Sequence, residues 1–317
     1  MIDGCLVVYK PKGITSHDVI NKIRRVYKIK KCGHAGTLDP MAQGVLLVFF
    51  GKALKLINFI PPVHLDKTYL ARLTLGKTTD SYDATGNVTS VFEGSAIYSE
   101  DVLNNAINKF VGKYDQVPPV FSAIKVEGKK AYAMARAGET VNLAGRPVDV
   151  TSIRLIKDYS EQDTHNLLIR FLCSRGTYIR SVAQDIGQEL GCGAYLSYLL
   201  RERVGKWDFS KAFPYWKIEK GISFEEDSAF TKFSDVLSFP KITVKEETLF
   251  KINNGQGITR NDISKIEAAN DETSELFQIL SPNQELIAIY SSNKVTKEEN
   301  KELKLFPMRV FHKDETD

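Results

Sequence analysis

The chain has 317 residues, which suggests about two domains at roughly 100–200 residues each. Hydrophobic residues make up 43% and charged residues 26% of the sequence, so disordered, collagen-like and coiled-coil classes are excluded. The net charge is +4, but residues 1–60 hold ten Lys or Arg against three Asp, and residues 241–317 hold 11 basic and 14 acidic residues. The basic N-terminal segment suggests a polyanionic partner, although charge alone more often marks a solvated surface.

Apolar runs and cysteine spacing exclude several further classes. The longest apolar run spans six residues at 45–50, whereas a membrane-spanning helix needs about 20. The four cysteines show no Cys-x-x-Cys spacing and the five histidines form no His-x-x-x-His pair, which argues against zinc sites and disulfides. Asp3 and the absence of a charged-then-apolar pattern over the first residues predict no secretion signal. The sequence therefore predicts a cytoplasmic protein that needs no metal and does not contact a membrane.

The N-terminal part of the chain alternates short strands with one basic helix. Residues 5–9 form an apolar run that is typical of a buried strand. A helical pattern begins at Ser16 and predicts a basic helix over 16–31. Glycine-rich residues 33–40 predict a loop, and the apolar run 45–50 predicts a second strand.

The rest of the chain begins with the clearest strand pattern. Residues 67–75 alternate apolar and polar side chains with the period of a half-buried strand. Helical patterns occur at 100–111 and from Gly176 to Gly191, and residues 167–173 read as a strand. Residues 117–147 have prolines, basic side chains and little regular pattern, which predicts an exposed basic insertion.

Motifs for common nucleotide cofactors are missing. Gly76-Lys77-Thr78 matches the end of a phosphate-binding P-loop, but Ala71 stands where the first glycine is required. No Gly-x-Gly-x-x-Gly follows a strand, so a dinucleotide site is not expected.

Residues 34–44 place one carboxylate in a loop bounded by glycines. Gly36 and Gly44 flank Asp39, and Pro40 biases this aspartate toward an extended backbone. The loop is therefore expected to present a carboxylate beside the strand at 45–50. In isolation, an Asp-Pro turn without a catalytic role explains the same residues.

Arg180 and Tyr69 are two further candidates. Arg180 falls in the first turn of a predicted helix, where a cation opposes the helix dipole at a cost of about 0.3–1 kcal/mol. That cost suggests an anion to be held, although a solvated surface arginine is an equal alternative. Tyr69 begins the apolar face of the strand 67–75, where a tyrosine is more often core than site.

Together these motifs resemble those of the TruB-type tRNA pseudouridine synthases. The similarity runs in the expected order through roughly residues 4–205. Its segments are 10–16 (KPKGITS), 36–44, 67–69 (KTY), 76–86, 116–125 (QVPPVFSAIK), 132–139 and 175–181 (RGTYIRS). The tail from Val244 to Val310 is similar to a PUA domain, a small β-barrel RNA-binding module.

The resemblance implies an α+β pseudouridine-synthase fold, with a mixed, mostly antiparallel sheet flanked by helices and a small β-barrel-like PUA domain. It implies a catalytic domain at 1–240, with 117–147 as an RNA-contacting insertion, and a PUA-like RNA-binding domain at 241–317. Family members isomerise the T-loop uridine at tRNA position 55 to pseudouridine without a cofactor or metal. The expected partner is the T-arm of tRNA, bound by a monomeric enzyme.

The resemblance also assigns the catalytic pair. Asp39 looks like the essential catalytic aspartate, and Arg180 resembles the arginine paired with it. Glycosidic chemistry needs an ionised carboxylate near the sugar, and a neighbouring arginine favours the charged form. The sequence leaves open whether Asp39 attacks C1′, attacks the base or removes the C2′ proton.

Four other positions resemble substrate contacts of the family. Tyr69 resembles the tyrosine that stacks on the target base, and Tyr178 the tyrosine beside that base. His34 resembles the histidine that fills the space left by the flipped nucleotide, and Leu199 an apolar contact to the base. A flipped nucleotide costs a few kcal/mol, and stacking on an aromatic side chain returns about 1–3 kcal/mol.

One position departs from the family pattern, and two alternative functions fit the sequence. Leu200 stands where many relatives carry arginine, so one RNA contact is expected to be missing or supplied by Arg203. The guide-RNA-dependent branch of the family is the nearest alternative, but it usually carries long basic extensions, whereas residues 313–317 are mostly acidic. A non-catalytic RNA-binding protein or RNA chaperone is the alternative from another class, because binding surfaces alone do not require Asp39.

Overall fold

The computed structural model describes residues 2–122, 124–126, 128–137, 139, 141–161, 164–267, 275–292 and 303–311. The chain divides into two compact units. The larger unit comprises residues 6–48 and 60–229, and the smaller unit residues 1–5, 49–59 and 230–317. The domain ranges 1–240 and 241–317 stay predictions. Residues 313–317, whose acidic character weighs against a guide-dependent enzyme, lie outside the described residues.

Among the described residues, one large sheet, two small two-stranded sheets and several helices build most of the larger unit. Its strands are β1 (Gly4–Lys10), β2 (Cys32–Ala35), β3 (Gln43–Phe50), β4 (Lys67–Leu75), β5 (Lys77–Thr79), β6 (Val88–Val91), β7 (Gly112–Gln116), β8 (Lys125–Val126), β9 (Lys129–Lys130), β10 (Arg146–Glu161), β11 (Thr164–Cys173), β12 (Ala194–Val204), β13 (Trp207–Asp208) and β14 (Phe213–Pro214). Its helices are α1 (Ser16–Tyr27), α2 (Glu100–Asn108), α3 (Ala131–Arg136), α4 (Ile179–Glu189) and α5 (Tyr215–Glu219). In the two small sheets, β5 pairs with β6 and β8 with β9.

The large sheet has the order β14-β1-β3-β12-β4-β11-β10-β7 in the described part of the chain. The pairs from β12 through β4, β11 and β10 to β7 are antiparallel, whereas β12 runs parallel to β3 and β1 parallel to β14. The predicted α+β fold with a mixed, mostly antiparallel sheet is therefore confirmed. The long strands β10 and β12 were not identified from the sequence.

Helix α1 begins where the sequence predicts and ends earlier. Thr15 caps it, because its Oγ1 accepts a hydrogen bond from the Asp18 N–H at 3.0 Å while the Asp18 carboxylate accepts one from the Thr15 N–H at 2.8 Å. The helix stops at Tyr27 because Lys28 adopts a left-handed backbone with φ of 58°. The predicted helix over 16–31 is thus wrong for its last four residues, and the predicted loop at 33–40 begins as strand β2.

Strand β4 lies at the centre of the larger unit. Tyr69, Ala71 and Leu73 are buried on one face, which confirms the alternation predicted for 67–75. Antiparallel pairing places Tyr69 opposite Phe171 of β11 and Arg201 of β12. This register brings residues distant in the chain to one place on the sheet.

Helix α4 packs closely on strand β12. Its residues Ile179, Val182 and Ile186 are buried, which confirms the predicted apolar face. An ideal Cβ at Gly187 would lie 2.1 Å from the Ala194 backbone nitrogen, so only glycine permits this approach. The approach fixes the distance of α4, which carries Arg180, from the sheet.

The smaller unit is built mainly from short strands. These are β15 (Phe230–Lys232), β16 (Lys241–Val244), β17 (Ile258–Thr259), β18 (Ile263–Glu267), β19 (Leu276–Leu280), β20 (Leu286–Ser292) and β21 (Lys304–Val310), with helix α6 (Leu249–Asn253). A sheet of order β17-β21-β20-β19-β16-β18 encloses a core that includes Ile242, Ile252 and Tyr290. This sheet is consistent with the expected PUA-like fold. Across the described ranges, no helix is long and apolar enough to span a membrane.

The close approach of α4 to β12 gives a stability test. Alanine in place of glycine normally favours a helix by about 1 kcal/mol. Gly187→Ala should instead lower the free energy of unfolding by about 1–3 kcal/mol, because the added methyl group meets the backbone of β12. Urea unfolding would measure the change, with exposed Gln188→Ala in the same helix as a control that should be nearly neutral. A Gly187→Ala protein as stable as the wild type would contradict this packing.

Candidate active site

The loop between β2 and β3 presents Asp39 on a tightly anchored backbone. Ser16 at the start of α1 binds Leu38 twice, since its Oγ accepts from the Leu38 N–H at 2.8 Å and donates to the Leu38 carbonyl at 3.1 Å. The Gly13 N–H donates to the Pro40 carbonyl at 2.7 Å. Both neighbours of Asp39 in the chain are therefore held, and its side chain has little freedom to drift.

Arg201 of strand β12 anchors the loop between β2 and β3 through its side chain. The side chain is fully buried, and its guanidinium donates to the carbonyls of Val45 at 2.7 Å, Gly36 at 3.0 Å and Thr37 at 3.2 Å. Gly44 lies directly over this strand with φ of +105°, and a Cβ there would meet the Arg201 carbonyl oxygen at 2.3 Å. Burying the Arg201 guanidinium costs free energy. In return, this group holds backbone carbonyls that precede and follow Asp39 in the chain.

Asp39 and Arg180 form a bidentate ion pair. The Arg180 Nε donates to Asp39 Oδ2 at 2.9 Å, and its Nη2 donates to Oδ1 at 3.3 Å. The Arg180 side chain is 5% exposed and that of Asp39 34%, so the carboxylate stays open to a ligand while its partner does not. The predicted pairing of these two residues is present, and the loop does present a carboxylate.

The other donors of Arg180 are also engaged. Nη1 donates to the Ser81 carbonyl at 3.1 Å, and Nη2 donates to the Phe121 carbonyl at 3.0 Å. The buried carboxylate of Asp83 lies 3.7 Å from Nε and is itself held by hydrogen bonds from the Ser81 and Thr85 side chains. Two carboxylates thus offset the cost of a buried arginine in the first turn of α4.

Tyr178 precedes α4 and is positioned through its backbone. The buried side chain of Gln116 accepts from the Tyr178 N–H at 2.8 Å and donates to its carbonyl at 3.1 Å. Burial raises the pKa of the Tyr178 phenol. The ring lies in the electrostatic field of both Arg180 and Asp39, so Tyr178 belongs to the same site.

Tyr69 and Leu199 form the apolar side of the site. They belong to one buried cluster with Leu38 and Met41, which flank Asp39 in the chain. Burial raises the pKa of the Tyr69 phenol to about 12, so the ring is neutral across the physiological range. The site therefore combines an accessible carboxylate with an aromatic ring and an aliphatic wall, an arrangement suited to a planar base.

His34 lies in β2, at the other end of the loop from β3. Burial lowers the pKa of its imidazole, with a further contribution from Arg201, so the neutral form prevails at pH 7. Its buried Nδ1 has no hydrogen-bond partner within the described residues. No contact places His34 against Asp39, and its role toward a nucleotide stays a prediction.

Lys10 adds positive charge near Asp39. Its fully buried ammonium donates to the carbonyls of Ile14 at 2.7 Å and Pro11 at 2.9 Å. Burial lowers its pKa to about 8, and Asp39 acts in the opposite direction. In the described residues, no group of three or more His, Cys, Asp or Glu is arranged to hold a metal ion.

Sequence reasoning missed Asp83, Gln116 and Arg201. Asp83 lies within the turn-rich segment 76–86, but nothing in its spacing distinguishes it from other aspartates there. Arg201 follows Leu199 by two positions, and the sequence pattern instead indicates Arg203 as the replacement for a missing RNA contact. The structure buries Arg201 completely and leaves Arg203 3.7 Å from Asp208 with its side chain 57% exposed.

Comparison with known proteins identifies the family. The family model described as "TruB family pseudouridylate synthase (N terminal domain)" matches residues 24–179. A tRNA pseudouridine synthase B of Dehalococcoides mccartyi (strain BAV1) is 38% identical over 276 residues, covering 84% of this chain and 87% of the relative. One from Oceanobacillus iheyensis is 33% identical over 310 residues, covering 97% of each. The fold and this site define a pseudouridine synthase, and the chain belongs to the TruB family.

Solved structures agree with this assignment. The crystal structure of a Cbf5-Nop10-Gar1 complex contains a chain that is 26% identical with a TM-score of 0.66, covering 98% of this chain and 85% of that one. An H/ACA RNP bound to a substrate RNA contains a chain with the same TM-score at 24% identity, which shows the fold alone. The resemblance inferred from the sequence motifs is confirmed.

The loop anchor can be tested by substitution. Arg201→Met keeps an unbranched side chain but leaves three carbonyls without donors, each at a cost of about 1–3 kcal/mol, partly offset by removal of a buried charge. We expect the free energy of unfolding to fall by about 1–3 kcal/mol and pseudouridine formation to fall with it. Urea unfolding and turnover would be compared with Arg203→Met, whose exposed side chain should matter little for stability. An equal loss of unfolding free energy in both variants would contradict an anchoring role specific to Arg201.

Proposed function

We propose that this chain is a tRNA pseudouridine synthase that converts the T-loop uridine at tRNA position 55 to pseudouridine. The observation that carries the proposal is the bidentate pair of Asp39 and Arg180 beside an aromatic and aliphatic wall. The relatives at 33–43% identity over most of the chain are named tRNA pseudouridine synthase B. The substrate is tRNA, and the reaction is an isomerisation.

The reaction exchanges one glycosidic bond for another within the same nucleotide. The C1′–N1 bond breaks, the base turns over while held, and a C1′–C5 bond forms. The target atoms lie inside a folded RNA loop, so the nucleotide must first be flipped out. Asp39 supplies the carboxylate, which attacks C1′, attacks the base or removes the C2′ proton. Arg180 orients that carboxylate through two hydrogen bonds.

The remaining site residues hold the flipped base. Tyr69 stacks on it, Leu199 contacts it from the apolar wall, and Tyr178 lies beside it. Burial raises the phenol pKa of both Tyr69 and Tyr178. Both rings are therefore neutral and suited to stacking and hydrogen bonding. The neutral imidazole of His34 fills the space that the nucleotide leaves in the RNA loop.

Other parts of the chain complete the proposal. Residues 117–147 contact the RNA backbone, and residues 241–317 form a PUA-like RNA-binding domain. The enzyme acts in the cytoplasm as a monomer on the T-arm of tRNA. A requirement for a guide RNA and protein partners would instead place it in the guide-dependent branch, and incubation with unmodified tRNA alone separates the two cases.

Asp39→Asn is the direct test of the catalytic assignment. The amide keeps the size of the side chain but removes the negative charge, so pseudouridine formation on unmodified tRNA should fall below detection. RNA affinity should change less than about threefold, because the ring and the apolar wall remain. Turnover would be followed by mapping pseudouridine in the product, and affinity by filter binding.

Asp101→Asn in the first turn of α2 is the matched control, since it removes the same charge at an exposed position that makes no bond to the pair. It should leave both turnover and affinity unchanged. Normal turnover by Asp39→Asn would refute the catalytic role. Affinity lost along with turnover would instead favour a binding role for the carboxylate.

Two substitutions of Tyr69 distinguish a stacking role of its ring from a chemical role of its hydroxyl group. If stacking is its main role, Tyr69→Phe should retain more activity than Tyr69→Ala, because stacking on an aromatic ring is worth about 1–3 kcal/mol. Single-turnover rates and RNA affinity of both variants would measure the difference. Equal damage from both substitutions would point to the hydroxyl, which lies beside Arg201.

A further inference from the structure

Lys67 occupies the first position of β4, on the same face as Tyr69. Residues two apart on a strand share a face and are about 7 Å apart along it. Lys67 is paired with Cys173 of β11 and Val204 of β12. Its side chain therefore lies one step from the ring that is proposed to stack on the target base.

The Lys67 ammonium lies under the loop that carries Asp39. An ideal Cβ at Gly36 would be 3.7 Å from its Nζ and 3.7 Å from Nη1 of Arg201, so both cations face the same backbone. Arg201 has donors already committed to three carbonyls. Lys67 has no hydrogen-bond acceptor or carboxylate within bonding distance of its Nζ in the described part of the chain.

Two cations and two acidic groups act on Lys67. Arg201 reaches it from β12 and Arg175 from the turn after β11, while the thiol of Cys173 and the carboxylate of Asp66 act in the other direction. Burial is the largest influence and lowers the pKa of the amine to about 8. The half-buried Lys67 ammonium lies near Arg201 and Arg175, and its N–H donors are not used in hydrogen bonds to any described residue. An anion bound there would accept these hydrogen bonds and offset the positive charge.

We propose that Lys67 binds a backbone phosphate next to the flipped nucleotide. This inference rests on the proposed function, because it takes the base to lie on Tyr69. A base stacked on that ring carries its own phosphates at about the distance that separates the two side chains. Lys67 is then a positioning residue that sets the sugar over Asp39, and it has no part in bond breaking.

A substitution in the RNA tests the contact without changing the protein. A T-arm stem-loop would carry a neutral methylphosphonate at either phosphate flanking the target uridine. At one of the two positions, wild-type protein should bind about tenfold more weakly than to native RNA, because a charge-assisted contact is lost. Lys67→Met should bind native RNA about tenfold more weakly and be insensitive to that same methylphosphonate.

Salt dependence provides a second readout. Loss of one phosphate contact should reduce the slope of log affinity against log salt by about 0.7–0.9 in Lys67→Met. Lys109→Met is the matched control, because its Nζ is 2.6 Å from the Glu189 carboxylate on the surface, and it should keep the wild-type slope. Circular dichroism melting of each variant would show that it is folded.

The pH dependence has a defined sign. In the protein without RNA, the Lys67 ammonium loses its proton as pH rises through about 8. The affinity of the wild-type protein for the stem-loop RNA should therefore be full below that pH and decline above it. Lys10 also has a pKa of about 8, whereas burial raises that of Cys173 to about 11. The difference between wild type and Lys67→Met isolates Lys67 from Lys10.

The outcomes separate this inference from the function on which it rests. Wild-type protein that makes no pseudouridine in the native stem-loop would overturn the proposed function. Wild-type protein that is active but insensitive to both methylphosphonates would overturn the phosphate contact alone. The same holds if Lys67→Met keeps the wild-type salt slope and the wild-type methylphosphonate penalty.

Discussion

The ion pair between Asp39 and Arg180 is the interaction on which the rest of the site depends. Bidentate geometry fixes the carboxylate in orientation as well as in position. It also explains why an arginine occupies the unfavourable first turn of α4, with Asp83 as a second acidic neighbour. The stability cost of a buried cation is offset locally, and the benefit is a carboxylate aimed at a ligand.

The backbone around Asp39 matters as much as its side chain. Ser16, Gly13 and Arg201 come from three separate parts of the chain and all bind the loop that carries this aspartate. Strand β12 has a double role, because it supplies both Arg201 and Leu199 of the apolar cluster that contains Tyr69. The sheet is therefore the frame that sets the loop, the aromatic ring of Tyr69 and the aliphatic wall in one place.

Much of the fold and of the candidate site could be predicted from the sequence, and there are physical reasons why the remainder could not. Periodicity revealed β4 and α4, and glycines and an unfavourable charge marked Asp39 and Arg180 as candidates. The roles of these two residues and of Tyr69 came from the resemblance to the family. Arg201 left none, since an arginine in a strand is ordinarily solvated and its burial depends on a parallel neighbour far away in the chain. Helix α1 ended early through one left-handed residue that no apolar pattern encodes.

The hydrogen bond from Arg180 to the Phe121 carbonyl has a consequence for the orientation of the Asp39 carboxylate. Phe121 belongs to the segment 117–147, and the Arg180 Nη2 that donates to its carbonyl also donates to Asp39 Oδ1, so this amino group joins that segment to the carboxylate. Any shift of the segment that withdraws this carbonyl leaves the N–H unsatisfied and loosens the pair. A displacement of this carbonyl is therefore transmitted to the orientation of the Asp39 carboxylate through the Arg180 Nη2 group.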